Sequence, residues 1–393
     1  MSRKSNAVVF IGMTLPSGGI LHFAHLGIEL SRLAGQSYDF FFASIKNEAH
    51  KGFWALVDSE IPRSSILMEN DFPMLANSIV HLVDRYEKVL VHTGGGWGQT
   101  KIFRKVLKQL DCVTRNRVSL VGTTHSYRHD SWLRLPMSLF QYVIYRLYYR
   151  MIVFQCKYAA DRFFGGRDLI RRGKGVVIPL GCEQFPISDE IPPALRELNV
   201  VPVLADENLF TFVYLAQFRP GKNHKWLVKA LAPVLKSHPH ARLLLCGGGN
   251  DVVYNHVKDL VSTKGLESQI LMPGQIPRDA VPWVLKHVNC AIVPSRAETF
   301  GHNFLEPMFA GVPVLGTHVG IGQDVIKDGE TGYFFDLASK DSLRMAACKL
   351  IDDPVATKKM GTLARDMVAT RFRHSDVAHQ LSEVYQEILE GES

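Results

Sequence analysis

Several signatures are missing from this 393-residue chain, and each absence narrows what it can be. The six cysteines, Cys112, Cys156, Cys182, Cys246, Cys290 and Cys348, stand far apart with no C-x-x-C pair. Most lie in apolar runs, so reduced, buried thiols are expected rather than a disulfide framework. There is no D-x-D triplet and no cluster of His and Cys, so nothing in the sequence calls for a divalent metal. No glycine loop of the first half fits G-x-G-x-x-G, which argues against a dinucleotide cofactor. The apolar run that follows the first five residues alternates with Gly and ends within about six residues, too short for a signal-peptide core, so the cytosol is the expected compartment. A longer apolar stretch, 138–156, is interrupted by Arg146 and Arg150. Each would cost about 2.5 to 3.5 kcal/mol inside a bilayer, so this stretch is expected to lie on a membrane if it meets one.

What remains is an ordinary globular composition, 46% apolar and 21% charged, in a chain longer than one core usually organises. Strand-like runs alternate with helix-length amphipathic segments, the pattern of a parallel sheet covered on both faces. The strands read at 7–11, 38–44, 88–92, 118–123, 151–155 and 176–179, then at 210–215, 242–246, 269–272, 291–293, 312–315 and 332–335. The fold class is therefore α/β, with two doubly wound, Rossmann-like domains. A segment rich in Pro and acids marks the linker. The expected boundaries are 1–185, a linker at 186–208, and 209–393, with the last helix a candidate to pack back on the first domain.

Ligands of such sheets bind beyond the carboxyl ends of the strands, and the glycine-rich loops fall there. Gly18 and Gly19 precede a helix starting near Ile20, where backbone N–H groups suit phosphate or sugar oxygens. Further loops are Gly94-Gly95-Gly96 and Gly247-Gly248-Gly249, for which tight turns without a ligand are an equal reading.

The most informative segment is 293–336. A strand ends at Pro294, a loop carries Glu298, and a helix starting near His302 carries Glu306 eight residues later. Between them Thr299, Phe300 and Gly301 bring backbone N–H groups to the helix N-terminus, where a diphosphate is favoured by about 0.3 to 2 kcal/mol per charge. Two carboxylates that accept hydroxyls beside an anion-binding turn suit a nucleotide-sugar.

With their flanks, Glu298 and Glu306 resemble the E-x7-E signature of glycosyltransferase family 4. That family has the GT-B fold, two Rossmann-like domains facing a central cleft, and transfers sugars with retention and without a metal. The resemblance covers most of the chain and is most specific over 210–336. It implies that Glu298 approaches the donor sugar hydroxyls and that Glu306 binds the ribose. Pro307 stands where the family usually has alanine. The segment Leu215-Ala216-Gln217-Phe218-Arg219-Pro220-Gly221-Lys222 resembles the family's diphosphate clamp. Lys222 keeps the family's lysine position, Gln217 replaces the family's arginine, and Arg219 is the candidate to supply the missing charge. A cationic clamp is needed because departure of the nucleoside diphosphate builds negative charge. His125, in Gly122-Thr123-Thr124-His125, stands where the family often has a histidine near the transferred sugar. Residues 178–183 resemble the family's segment before the linker, with Leu180 in place of Asn.

The resemblance thus implies a hexosyltransferase that uses a UDP- or GDP-sugar as substrate, with no cofactor, and a glycan or lipid-linked acceptor. A nucleotide-sugar epimerase, a phosphorylase of the same fold and an inactive sugar-nucleotide-binding scaffold remain open. The net charge of +7 is placed unevenly. Residues 128–175 hold eight Arg and two Lys against three Asp, which accounts for all of it. Interleaved with Trp132, Phe140, Tyr142, Tyr145, Tyr148 and Tyr149, these cations suit an anionic membrane surface, with Tyr145 and Tyr149 expected at the headgroup level beside Arg146 and Arg150. No nucleic-acid motif accompanies them, and nucleic acid is not an expected partner.

Overall fold

The computed structural model describes residues 4–11, 20–35, 37–45, 51–94, 106, 108–110, 112–124, 135–182 and 190–391. The chain divides into two compact units, Met1–Cys182 together with Phe372–Ser393, and Glu183–Arg371.

The first unit is built on a parallel sheet of seven strands: β1 (Lys4–Ile11), β2 (Asp39–Ile45), β3 (Ile66–Glu69), β4 (Tyr86–Thr93), β5 (Val118–Thr123), β6 (Met151–Phe154) and β7 (Gly175–Val177). Their order is β3-β2-β1-β4-β5-β6-β7. Five successive residues of β1, Ala7 to Ile11, are buried, as a strand covered on both faces requires. β3 was not expected. It is a four-residue edge strand behind the short turn Arg63–Ser65, too brief to show a period against its flanks.

The helix His374–Glu390 belongs to this unit, although it is last in the sequence. Val377, Leu381, Val384, Tyr385 and Ile388 recur at helical spacing and are buried. Polar contacts fix its register: Tyr38 Oη lies 2.9 Å from Ser382 Oγ, and Lys88 Nζ donates to the Leu389 carbonyl at 2.6 Å. His92 Nδ1 meets the Tyr385 hydroxyl, while its Nε2 lies 2.7 Å from Thr123 Oγ1.

The basic segment is divided between core and surface. In the helix Leu135–Tyr148, Leu139, Phe140, Val143, Arg146, Leu147 and Tyr148 are exposed. Tyr145 and Tyr149 are buried instead of standing at the surface. Tyr145 lies about 100° around the axis from Arg146, and Tyr149 follows directly after the helix, its N–H donating to the Tyr145 carbonyl at 3.1 Å. Tyr145 stacks on Phe163 with ring centroids 5.5 Å apart and meets Tyr149 edge-on at 4.9 Å. Part of the positive charge is spent internally: Arg167 pairs with Asp161 at 2.6 Å, and Arg172 with Asp168 at 2.7 Å. Arg146 and Arg150 have no carboxylate partner among the described residues.

The second unit has a six-stranded parallel sheet of β8 (Phe210–Leu215), β9 (Ala241–Cys246), β10 (Ile270–Gly274), β11 (Cys290–Val293), β12 (Val314–Gly316) and β13 (Gly332–Phe334). Their order is β10-β9-β8-β11-β12-β13. Residues 190–208, assigned to the linker by their loss of periodicity, are part of this unit. Two short helices, Pro193–Glu197 and Val201–Leu204, bury Leu195, Val200 and Leu204. Helices of four and five residues are too short to display a 3.6-residue repeat.

The described cysteines Cys156, Cys182, Cys246, Cys290 and Cys348 are free, and the first four are buried. No helix among the described residues is long and apolar enough to cross a membrane. In both sheets the strand order reverses beside the first strand of the unit, at β1/β4 and at β8/β11. A crevice opens outside the carboxyl ends at such a point.

Candidate active site

At the β8/β11 reversal two loops leave neighbouring strands side by side. One follows β8 and carries Gln217, Arg219 and Lys222; the other follows β11 and carries Ser295 and Glu298. The loops are tied by backbone and amide bonds: Arg296 N donates to the Gly221 carbonyl at 3.1 Å, and Asn223 Nδ2 donates to the Pro294 carbonyl at 2.8 Å. From within the sheet, the buried Tyr214 hydroxyl donates to the Lys222 carbonyl at 3.0 Å and lies 3.3 Å from Ser295 Oγ. Ser295 Oγ in turn donates to Glu298 Oε1 at 2.6 Å. Lys222 Nζ completes the chain, 2.5 Å from the same oxygen. The side chains of Lys222 and Glu298 are 27% and 11% exposed, so the pair is largely shielded from water yet reachable.

Beyond Glu298 the loop turns into the helix His302–Phe309 through Gly301, whose φ of +97° lies where residues with a side chain are strained. Phe300 is buried, and its carbonyl accepts from Ile321 N at 2.7 Å. Gly320 permits this approach, since a Cβ there would stand 2.3 Å from the Phe300 oxygen and 2.8 Å from Glu298 Cβ. The first N–H groups of the helix have no partner within it, which leaves an electropositive end directly after Thr299 and Phe300. Pro307 sits inside this helix, lacking the N–H that would bond four residues back, and the helix ends two residues later.

Glu306 is not a solvated helix residue. It is 6% exposed, and Arg278 Nη1 donates to its Oε1 at 2.6 Å. Arg278 follows β10 and forms no motif with Glu306. Arg219 and Gln217 are exposed, and Arg219 makes no ion pair among the described residues. The Gly247–Gly249 loop packs against the lysine loop: Phe218 N donates to the Gly248 carbonyl at 2.8 Å, and Asn250 N to the Phe218 carbonyl at 3.0 Å. Close backbone approach explains those glycines. His125, Gly18 and Gly19, and with them residues 128–134, lie outside the described residues.

Sequence reasoning brought together Lys222, Glu298 and Glu306 but missed Tyr214, Ser295, Gly320 and Arg278. Tyr214 and Gly320 act from β8 and from the loop after β12, which only strand order places at Glu298, while Ser295 stands three residues before Glu298 on the same loop.

This arrangement has relatives. Residues 196–367 match the family model described as glycosyl transferases group 1. Over that segment the chain is similar to group 1 glycosyltransferases. Over 177 residues the chain is 30% identical to N-acetyl-alpha-D-glucosaminyl L-malate synthase of Bacillus anthracis, covering 45% of each protein. Over 208 residues it is 31% identical to the alpha-1,3/1,6-mannosyltransferase ALG2 of Dictyostelium discoideum, covering 49% of each. The chain thus spans about half the length of the curated relatives it matches. Solved structures match almost throughout. Anabaena HepE, in complex with UDP and glucose, superposes with a TM-score of 0.72 at 17% identity, covering 98% of this chain and 100% of that one. A glycosyltransferase of Rickettsia africae superposes at 0.74 with 18% identity, covering 99% and 100%. These likenesses establish the fold, which is GT-B.

Two residues beyond Lys222, His224 opens the helix His224–Ser237 and is 1% exposed. It stacks on Phe218 with ring centroids 4.2 Å apart. Burial pulls its imidazole down from 6.5 to about 4; the nearby Lys222 cation adds to this, while the Ala216 backbone works against it. The folded state therefore holds His224 neutral, and between pH 6.5 and about 4 the unfolded chain binds the extra proton. Its contribution is intact above pH 6.5 and lost as pH falls towards 4, on the order of 3 kcal/mol in total. Chemical unfolding of the wild type between pH 7 and pH 4.5 should show this loss, and His224→Phe should flatten the dependence. Equal pH slopes for the two proteins would contradict the assignment.

Proposed function

We propose that this protein transfers a sugar from a nucleotide-diphosphate donor to an acceptor, with retention at the anomeric carbon and without a metal. The observation that carries the reading is the Lys222–Glu298 pair, 2.5 Å apart beside the amino end of the helix that bears Glu306. In this reading Lys222 and the helix end, with the Thr299, Phe300 and Gly301 backbone, receive the diphosphate. Glu298 accepts from the donor sugar hydroxyls, and Glu306 accepts from the ribose. As the bond to the leaving phosphate breaks, charge accumulates on the diphosphate, and a cation already in place stabilises it without reorganisation. Retention, metal independence and membership of family 4 are supported by the resemblance of the E-x7-E segment. UDP is preferred over GDP by family habit, and the UDP in the HepE complex supports it. The first unit is assigned the acceptor, a glycan or lipid-linked precursor.

Acceptor-dependent release of nucleoside diphosphate, measured over a panel of nucleotide-sugars, tests this reading. Conversion of the donor without acceptor would make the protein an epimerase, consumption of orthophosphate a phosphorylase, and donor binding without turnover a scaffold. Lys222→Ala should lower kcat by roughly a hundredfold, because its contact strengthens as the diphosphate leaves. Glu298→Ala should lower kcat while leaving affinity for the bare nucleoside diphosphate within about twofold, since its contact is with the sugar. A Lys222→Ala loss confined to KM, or an equal loss of bare-diphosphate affinity in Glu298→Ala, would contradict these roles.

The helix Leu135–Tyr148 supports a membrane partner. Leu139, Phe140, Val143 and Leu147 are 46%, 48%, 39% and 67% exposed along one side, and Arg146 and Arg150 flank them. An exposed apolar strip flanked by cations that have no carboxylate partner among the described residues complements an anionic lipid surface, where each cation contributes about 1 kcal/mol. Replacing Arg146 and Arg150 together by Glu should abolish sedimentation with phosphatidylserine-containing vesicles while sparing transfer to a short water-soluble acceptor. Co-sedimentation of the double variant at low salt, or indifference of the wild type to such vesicles, would remove the membrane from the account.

A further inference from the structure

Glu306 reaches its position from a helix, through three rotatable side-chain bonds, and is 6% exposed. A carboxylate so placed loses most of its hydration and needs a partner to stay ionised and oriented. Arg278 is that partner. It begins the 3-10 turn Arg278–Ala280, behind Pro277 and the Gly274–Ile276 loop that leaves β10. Its Nη1 donates to Glu306 Oε1 at 2.6 Å, while its side chain remains 35% exposed. β10 and β11 lie on opposite sides of β8 and β9, so the pair joins the turn after β10 to the helix after β11. A planar guanidinium fixes the plane of a carboxylate in a way that a point charge does not.

We propose that Arg278 is a positioning residue for nucleoside recognition: by holding one oxygen of Glu306, it sets the orientation in which that carboxylate meets the ribose hydroxyls of the donor. This rests on the assignment of Glu306 to the ribose. Arg278 touches no reacting atom in this scheme, and it acts on the ribose through Glu306. Loss of the guanidinium frees the Glu306 oxygen that it holds, and a change in the orientation of that carboxylate weakens the hydrogen bond to ribose.

The test compares affinities for UDP and 2′-deoxy-UDP, and for GDP and 2′-deoxy-GDP, by titration calorimetry on the full chain. Wild type should favour the ribonucleotide of the pair it binds by roughly tenfold, the worth of one charge-assisted hydrogen bond. In Arg278→Ala that preference should fall to within about twofold, with affinity for the deoxynucleotide nearly unchanged, and Arg278→Lys should recover part of it. Arg278→Gln, which keeps the volume, gives the same reading if the alanine variant does not fold. A full ribose preference in Arg278→Ala or Arg278→Gln would overturn the proposal. So would equal losses for ribo- and deoxynucleotide, the pattern of a purely structural residue. Absence of any ribose preference in the wild type would remove Glu306 from the ribose, and the proposal with it.

Discussion

Lys222 and Glu298 meet at 2.5 Å because their loops leave adjacent strands, β8 and β11, where the strand order of the second sheet reverses. Most of the site can be traced from that contact. Tyr214 reaches it from inside β8 and Ser295 from the end of β11, so the sheet itself orients the acidic group. Gly320 lets the next loop close beneath Glu298 and Phe300. The helix that follows inherits its direction from this turn, and with it the position of Glu306, a little over one turn into the helix. A parallel sheet whose loops alone supplied the charges would leave them mobile; here a buried tyrosine and serine hold them.

Each of the two carboxylates has a cation of its own, Lys222 for Glu298 and Arg278 for Glu306. Partly buried pairs gain little net stability, because desolvation offsets most of the attraction. Their value is in preorganisation. In the proposed reaction the diphosphate takes over the Lys222 contact, and Glu298 exchanges a cation for sugar hydroxyls. The Arg278 pair need not break, since a carboxylate accepts several hydrogen bonds at once.

The alternation of strands and helices is a local property, and twelve of the thirteen strands were legible in the sequence. β3 was not, because Ile66–Glu69 is four residues long at the sheet edge. The carboxylates Glu298 and Glu306 and the cation Lys222 were legible because each lies a few residues from a strand end in a recognisable segment. Arg278 was not, since 28 residues separate it from Glu306 and only tertiary structure brings them together. Tyr145 and Tyr149 were misplaced for a different reason. Composition drew them into the basic surface, whereas helical phase turns Tyr145 about 100° away from Arg146, and Tyr149, just past the helix end, packs with it in the core. The segment 190–208 lacked periodicity because its helices are too short to show one, and it packs with the second unit nonetheless.

The central claim is that the paired charges at the β8/β11 reversal are a nucleoside-diphosphate site, and affinity for the second phosphate measures it most directly. Calorimetric titration of the intact protein with UDP and UMP, and with GDP and GMP, isolates that phosphate. A charge-assisted contact to it is worth about 1.5 to 3 kcal/mol, so one diphosphate should bind roughly ten- to a hundredfold more tightly than its own monophosphate. If neither diphosphate binds better than its monophosphate, Lys222 and the helix end do not hold a diphosphate, and the account of this site fails.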